Sequence, residues 1–378
     1  MKNGRRKAAA CLCVVALAAL PAVVYAAALG AAGAAAVTSV ADADAPPLLD
    51  DGDAESLREA VKQSLYWLAR QPPEQRIVLG PRTLTVADQM RGLWRILQFL
   101  ADNPSPETLE ARVLSEFDLL RSVGLDDGSM LATGYHEPTI AAAEVPSAEY
   151  PVPIYGVPRD LAARRKGPYW GRTEIEKGRL GNLARPLAWA RNPLDVFFME
   201  IEGSGTLRFP DGRELRVGHA TTNGRPYRSI ARLLIDEGKI TREAMTMRVL
   251  REWLTEHPEE RTRVLRYNDS FVFFRPLPGA PVGSLGVPLT PGRSIATDPS
   301  VFPRAALAFV RTRRPVERSE GSIEWHPVSR FVLSQDAGGA IRGPGRVDIF
   351  WGRGPQADVA ASEMKEPGEL YFVVPKAK

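Results

Sequence analysis

Cysteine is nearly missing from this chain of 378 residues, which has only Cys11 and Cys13, both inside an apolar run at its start. Everything after residue 13 therefore has to fold without disulfides and without thiolate metal ligands. Histidine is scarce too. His136, His219, His257 and His326 are the only four, and none is spaced from another as in HExxH, so a zinc site finds no ligand set. An excess of one charge is also lacking once the N-terminus is set aside. Lys2, Arg5, Arg6 and Lys7 account for the formal net charge of +4, and the remainder carries 45 basic against 45 acidic side chains. A balanced body leaves no electrostatic footprint for nucleic acid. The glycine-rich stretch from Gly338 to Gly354 has no G-K-[ST] and no helical pattern after it, so it is not a phosphate loop. Gly203-Ser204-Gly205 is not the G-x-S-x-G of a nucleophile elbow. No motif asks for a cofactor.

What is present begins with a basic cluster followed by an apolar run from Ala8 to about Val37, with an A-x-A-like stretch at Val24-Tyr25-Ala26. This reads as an export signal. The run is also long enough to span a bilayer, which takes roughly 20 residues, so residues 1–38 are either cleaved or kept as an anchor. Either way the body lies outside the cytoplasm, in the periplasm or cell envelope. Cys11 has hardly any apolar stretch before it, unlike the cysteine of a lipoprotein signal. Residues 38–52 (TSVADADAPPLLDDG, small, acidic and Pro-containing) predict a flexible tether, with the linker ending at residue 54.

The length suits two domains with proper cores. At 44% apolar and 25% charged the composition is that of a folded protein, and 32 Gly with 32 Pro favour strands and turns over long helices. Three helices are predicted first. One runs from about Ala54 to Arg70 with Leu57, Ala60, Val61, Leu65 and Leu68 on one face. The next starts at Thr85 as N-cap with Asp88 three residues on, and the third starts at Ser105-Pro106 and runs to Gly124. After Gly124 short apolar runs alternate with Gly, Pro and Asn. Val196–Ile201 predicts a strand, and Thr206–Phe209 and Glu214–Val217 flank Pro210-Asp211-Gly212 as a hairpin. Helices are expected over Tyr227–Glu237 and Arg242–Glu256, and strands over Phe271–Phe274, Ala306–Arg311, Phe331–Leu333, Arg346–Phe350 and Leu370–Val374. The class is α+β, mainly β, with small barrels or sandwiches behind N-terminal helices.

The densest segment for chemistry is the C-terminal one. Asp348 lies between Val347 and Ile349 in a strand pattern, where a carboxyl is partly buried and its pKa raised. Such an acid can donate a proton near neutral pH, as glycosidic cleavage requires. Trp351 and Phe350 beside it offer faces for sugar stacking. The same spacing also fits a strand-end aspartate bonded to turn amides. Asp298 and Asp336 carry the same ambiguity as turn or cap residues. Glu200 and Glu202 alternate with Phe198, Met199 and Ile201 on the expected strand, lining a polar cleft or facing solvent.

Together these segments resemble one family, the membrane-bound lytic murein transglycosylase A type with its three-aspartate (3D) domain. The resemblance covers roughly residues 55–378. It is carried, in order, by Thr133-Gly134-Tyr135-His136-Glu137-Pro138, Val196 to Gly205, Asn223-Gly224-Arg225-Pro226-Tyr227, Asn268 to Phe274, Gly283 to Thr290, and the segments around Asp336 and Asp348. It implies a double-psi β-barrel with a second β domain inserted into it and a glycan strand in the groove between. Residues 55–145 and 275–378 would form the barrel and residues 146–274 the insert. The resemblance further implies Asp348 as the catalytic acid/base, supported by Asp336 and Asp298. Substrate contacts would come from Thr133, Gly134, Tyr135, Glu202, Gly203, Ser204, Gly205, Asn223, Tyr227, Gln335 and Trp351. The implied reaction cleaves the β-1,4 bond between N-acetylmuramic acid and N-acetylglucosamine and closes a 1,6-anhydro ring without water, so one carboxyl suffices where ordinary glycosidases need two. Peptidoglycan is the implied partner, with other cell-wall enzymes as further ones, and no cofactor or metal is implied. The sequence departs from the family pattern at His136, where Tyr is usual, at Glu200 and Glu202, where Gln is usual, and at His219, where Tyr is usual. Those departures leave a second reading open, a catalytically silent wall-binding protein on the same fold.

Overall fold

The structure, a computed structural model, describes residues 36–125, 128–163 and 167–377. The basic cluster and the apolar run through residue 35, read above as signal or anchor, lie outside the described residues. No helix among the described residues is long and apolar enough to cross a membrane.

Six strands close into a barrel. Met130–Tyr135 pairs in parallel with Arg346–Phe350, which runs antiparallel to Ser294–Ala296, which pairs in parallel with Ile323–Asp336. The long hairpin Leu307–Glu317 and Ile323–Asp336 follows, then Lys365–Pro375, which returns to Met130–Tyr135 and closes the ring. Side chains of all six strands feed one buried cluster, including Ala132, Ile295, Val310, Val332, Val347, Ile349 and Phe372. Strand alternation assigns the other face. Ala308 and Val310 join that cluster, whereas Leu307 and Phe309 pack with Leu57, Leu65 and Leu68 of the first helix. The mainly-β barrel with N-terminal helices is the expected fold class.

The chain leaves the barrel at His136-Glu137-Pro138. Thr139–Ala143 then belongs to a second, six-stranded sheet, in the order Val272–Pro276, Glu214–Thr222, Ser204–Arg208, Thr139–Ala143, Pro186–Ala190, Val152–Tyr155. A parallel bridge between Gly156 and Phe274 brings its two edges together.

Several expectations need correction. The helix expected from Ser105 to Gly124 ends at Glu116, and Phe117–Ser122 is a strand seated between Val37–Ser39 and Lys365–Pro375. Pairing on both sides overrides the helical spacing of Phe117 and Leu120. The tether expected over 38–52 is packed: Val37–Ser39 is a strand, Leu48 is buried, and the buried Asp50 carboxylate pairs with the buried Arg293 guanidinium at 2.7 Å. The strand expected over Val196–Ile201 is part of a helix, Pro193–Glu202. Its end signals were present in the sequence. Asn192 caps it by accepting from the Leu194 N–H at 2.9 Å, Pro193 opens it, and Gly203 closes it at φ +77°. The run looked continuous because both faces are covered. Val196 and Met199 pack on the second sheet, and Leu194, Phe197 and Phe198 pack against three further helices, Ile230–Asp236, Met247–Glu256 and Pro258–Tyr267. The last of these was not anticipated, nor was helix Pro355–Glu363 after the glycine-rich stretch; both begin on a proline.

Candidate active site

A groove of about 580 Å³ opens beside the barrel, walled by residues of both sheets. Register puts two of the expected site residues together. Asp348 lies directly opposite Thr133 across the parallel pair and opposite Ala296 on its other side. Val347 and Ile349 face the barrel core, so Asp348 faces the groove by alternation. The Thr133 hydroxyl donates to Asp348 Oδ1 at 2.8 Å. The carboxyl is half-buried and touches the groove, yet enough protein surrounds it that burial raises its pKa to about 7. The Thr133 hydrogen bond and the Arg346 charge oppose that rise, and the carboxylates of Glu202 and Asp336 add to it. An acid poised there holds its proton about half the time at neutral pH, so it can give a proton and take one back.

Asp336 lies two strands over, on the far side of Ala296. It accepts from the Ser284 and Ala337 N–H groups, both at 2.8 Å, and from the Tyr135 hydroxyl at 2.9 Å. Burial raises its pKa against those bonds. Burial and the adjacent Asp336 likewise push the Tyr135 phenol well above its ordinary range, so Tyr135 remains a donor. Asp298 does a different job. It is buried, and its carboxylate accepts from the Ser300 N–H at 2.9 Å and the Gly343 N–H at 2.8 Å. Burial alone would raise its pKa, but these bonds with the Ser300 hydroxyl outweigh it and hold the carboxyl low. Asp298 thus ties down the glycine-rich loop that forms one lip of the groove.

Of the expected substrate contacts, Gly134, Tyr135, Glu202, Gly203, Ser204 and Tyr227 border the groove with Asp336 and Asp348. Thr133 reaches it through Asp348. Four do not. Gln335 is wholly buried and points to the first helix, donating to Ala60 O at 2.7 Å and Ser64 Oγ at 2.9 Å while accepting from the Ser294 hydroxyl at 2.6 Å. Asn223 is also buried, donating to Trp170 O and Asp269 O and accepting from the Phe271 N–H, which occupies both ends of its amide. Trp351 packs in the barrel cluster under Arg314 and Arg330, and a Cβ on Gly134 would stand 2.7 Å from its ring. It is wall, and does not offer its face to the groove. Gly205 lets Met199 and Pro138 approach the strand and lies behind the groove surface.

The carboxylates that depart from the family pattern are both neutralised by partners. Glu200 is buried against Arg172, Oε2 to Nη2 at 2.5 Å, and burial raises its pKa against that cation. Arg172 itself donates on to Asn268 O and Ser270 O. Glu202 accepts from the His136 N–H at 3.0 Å, and the His136 ring lies between Glu202, 3.7 Å away, and Asp358, 3.2 Å away. Burial disfavours the imidazolium, but the two carboxylates raise the His136 pKa to about 9. Sequence reasoning marked His136 only as a departure, and its partner Asp358 lies in the helix it did not foresee. His219, marked in the sequence only as a departure, also borders the groove, as does Arg275, which carried no motif signal. Burial lowers the His219 pKa. Among the described residues no group of three His, Cys, Asp or Glu side chains is placed to hold a metal.

Comparison with known proteins agrees with this architecture. The model of the MltA specific insert domain matches residues 131–275, and that of the 3D domain matches residues 293–374. The membrane-bound lytic murein transglycosylase A of Escherichia coli K12 is 34% identical over 260 residues, covering 68% of this chain and 69% of that protein. Its Vibrio cholerae namesake is 33% identical over 251 residues, 66% of each, so the matched part spans about two thirds of these relatives. The crystal structure of a membrane-bound lytic murein transglycosylase from Agrobacterium tumefaciens superposes with a TM-score of 0.73 at 27% identity, covering 90% of this chain and 98% of that one. E. coli MltA with bound chitohexaose gives 0.72 at 26% identity, covering 91% and 96%. By both sequence and fold, the chain belongs to the membrane-bound lytic murein transglycosylase A family, an enzyme class acting on peptidoglycan.

Proposed function

We propose that the protein is an exported, envelope-associated lytic transglycosylase in which Asp348 is the single acid/base, and that it cleaves the β-1,4 bond between N-acetylmuramic acid and N-acetylglucosamine. The barrel would supply the catalytic wall of the groove and the second sheet with its helices the opposite one, with Thr139–Ala143, expected in the barrel domain, paired into that second sheet. Protonated Asp348 gives its proton to the glycosidic oxygen as the bond to the muramyl anomeric carbon breaks. The carboxylate left behind takes the proton of the muramyl 6-hydroxyl, whose oxygen closes onto the anomeric carbon. No water enters, and Asp348 ends protonated as it began. The observation that carries this reading is that, among the described residues, Asp348 is the one groove carboxyl left without a full set of partners. Asp336 is held by three donors, Glu200 by Arg172, and Glu202 by His136. A water-activating second carboxylate, as a hydrolase needs, is therefore not on offer. The same pairing supports the enzyme over the silent binder, because the departures at Glu200 and Glu202 bring their own cations. Mass spectrometry of peptidoglycan digested with the purified protein tests the proposal. Muropeptides ending in 1,6-anhydro-muramic acid support it, reducing ends indicate a hydrolase, and glycan binding without any product indicates a silent binder.

Arg275 bears on the substrate. It borders the groove and is exposed, and among the described residues no carboxylate pairs with it. Muramyl groups carry a lactyl carboxylate or peptide, whereas chito-oligosaccharides carry no charge. Arg275→Gln is expected to raise KM for peptidoglycan about tenfold, the worth of one charge-assisted hydrogen bond, with kcat little changed. Binding of a neutral chito-oligosaccharide, followed by calorimetry, should stay as it was. Equal weakening of both ligands would show that Arg275 does not read the charge.

A further inference from the structure

Two carboxyl-bearing helices meet at His136, and their meeting has no part in the reaction just described. The residue sits where the chain passes from the barrel to the second sheet. Its backbone N–H donates to Glu202 Oε2 at 3.0 Å, from the last turn of helix Pro193–Glu202. Its ring Nδ1 faces the other oxygen of Glu202 at 3.7 Å, and its Nε2 faces Asp358 Oδ1, in helix Pro355–Glu363, at 3.2 Å. On its own segment the neighbouring Glu137 turns away to accept from the Thr206 hydroxyl at 2.7 Å and to pair with Arg216. Arg251 of helix Met247–Glu256 also acts on Asp358, its charge favouring the carboxylate. His136 and Glu202 are almost fully shielded from solvent, with side chains 10% and 8% exposed, while Asp358 is open at 65%.

We infer that Glu202, His136 and Asp358 form one positioning unit, in which His136 acts through Glu202 to hold a negative charge against Asp348. The His136 backbone N–H and ring fix the Glu202 carboxylate in one orientation, and it borders the same groove as Asp348. Held there, Glu202 opposes ionisation of Asp348, which keeps the reacting acid protonated to higher pH than burial alone would. His136 touches no reacting atom in this scheme, and Asp358 acts only by holding the ring.

The inference rests on Asp348 being the acid, and its test separates the two. The alkaline limb of kcat/KM on purified peptidoglycan is measured for the wild type, Glu202→Gln, His136→Gln, the double variant and Asp358→Asn. Asp348→Asn runs beside them. Glu202→Gln should move the limb to lower pH by about one unit, the effect of removing one nearby like charge. His136→Gln should shift the limb in the wild-type background and leave it where it is in the Glu202→Gln background. Asp358→Asn, at an open site that the fold tolerates, should shift it in the same sense as His136→Gln and by less. A merely structural role would lower rates or melting temperature without moving the limb. Coincident limbs in all variants, or a His136→Gln shift of equal size in both backgrounds, would overturn the inference while leaving Asp348 in place. An Asp348→Asn protein that still cleaves would instead overturn the reading beneath it.

Discussion

Asp348→Asn should abolish glycan cleavage, by at least about a thousandfold, and leave the protein folded. General acid–base catalysis contributes about 10²–10⁴ in rate, and here one group is asked to act in both halves of the reaction. Asparagine is nearly isosteric and can still accept from the Thr133 hydroxyl, the hydrogen bond of 2.8 Å that fixes the side chain. It also removes a half-buried carboxyl whose ionisation burial opposes, so the melting temperature at neutral pH should hold or rise. The pH profile follows from the same carboxyl. Asp348 must begin protonated, and its pKa is raised to about 7, so wild-type kcat/KM should fall as pH climbs through that value. Release of anhydro-muropeptides and a thermal melt on the same preparation check both halves. A folded variant that cleaves at the wild-type rate would remove Asp348 from the mechanism.

Asp348 was legible because two independent signals met on it: a carboxyl flanked by Val347 and Ile349 in a strand, and a position in a recognisable run of segments. Four of the six barrel strands were legible at least in part, since alternation survives where one face is core and the other is not, but the two that flank Asp348, Met130–Tyr135 and Ser294–Ala296, were not read as strands. Helix Pro193–Glu202 was not, because its apolar residues are covered on two sides, which erases the 3.6-residue period and leaves an unbroken run. Misplacing that helix also misplaced Glu200 and Glu202, read as alternating strand residues when one pairs with Arg172 and the other with His136. Gln335 illustrates a further limit. It precedes Asp336 in the segment that carries the resemblance, and strand alternation sends its side chain to the opposite face, into the helices. Which of two adjacent polar residues faces a groove is decided by packing on the far side of the sheet, and that side was drawn only by the fold. Arg172 and Arg275 had no local pattern at all; their importance comes from what lies across from them.

Asp50→Ala should cost on the order of 3–5 kcal/mol and lower the melting temperature by about 5–10 °C, the largest stability effect expected from any single polar change here. Arg293 is 1% exposed, the bulkiest side chain so completely buried. Asp50 meets it with both carboxylate oxygens, at 2.7 and 2.9 Å, and also accepts from the Phe331 N–H at 2.9 Å. The guanidinium spends its remaining donors on Phe331 O, Asp53 O and the Ser56 hydroxyl. Removing the carboxylate leaves a buried cation without its counter-charge, and no water-exposed rotamer is within reach of a side chain so enclosed. The neighbouring pair makes the control. Asp51 holds Arg330 through two bonds of 2.8 and 2.9 Å, but its side chain is 34% exposed, so Asp51→Ala should cost no more than about 1 kcal/mol. Equal and small losses in the two variants would mean that the segment before the first helix is a tether after all. A large loss confined to Asp50→Ala would mean that the segment is a structural strap whose reach extends to the groove. Arg293 adjoins Ser294, whose strand pairs with that of Asp348, and the Ser294 hydroxyl fixes Gln335 beside Asp336. The residues that looked least structured in the sequence would then hold in place the floor on which the Asp348 carboxyl stands.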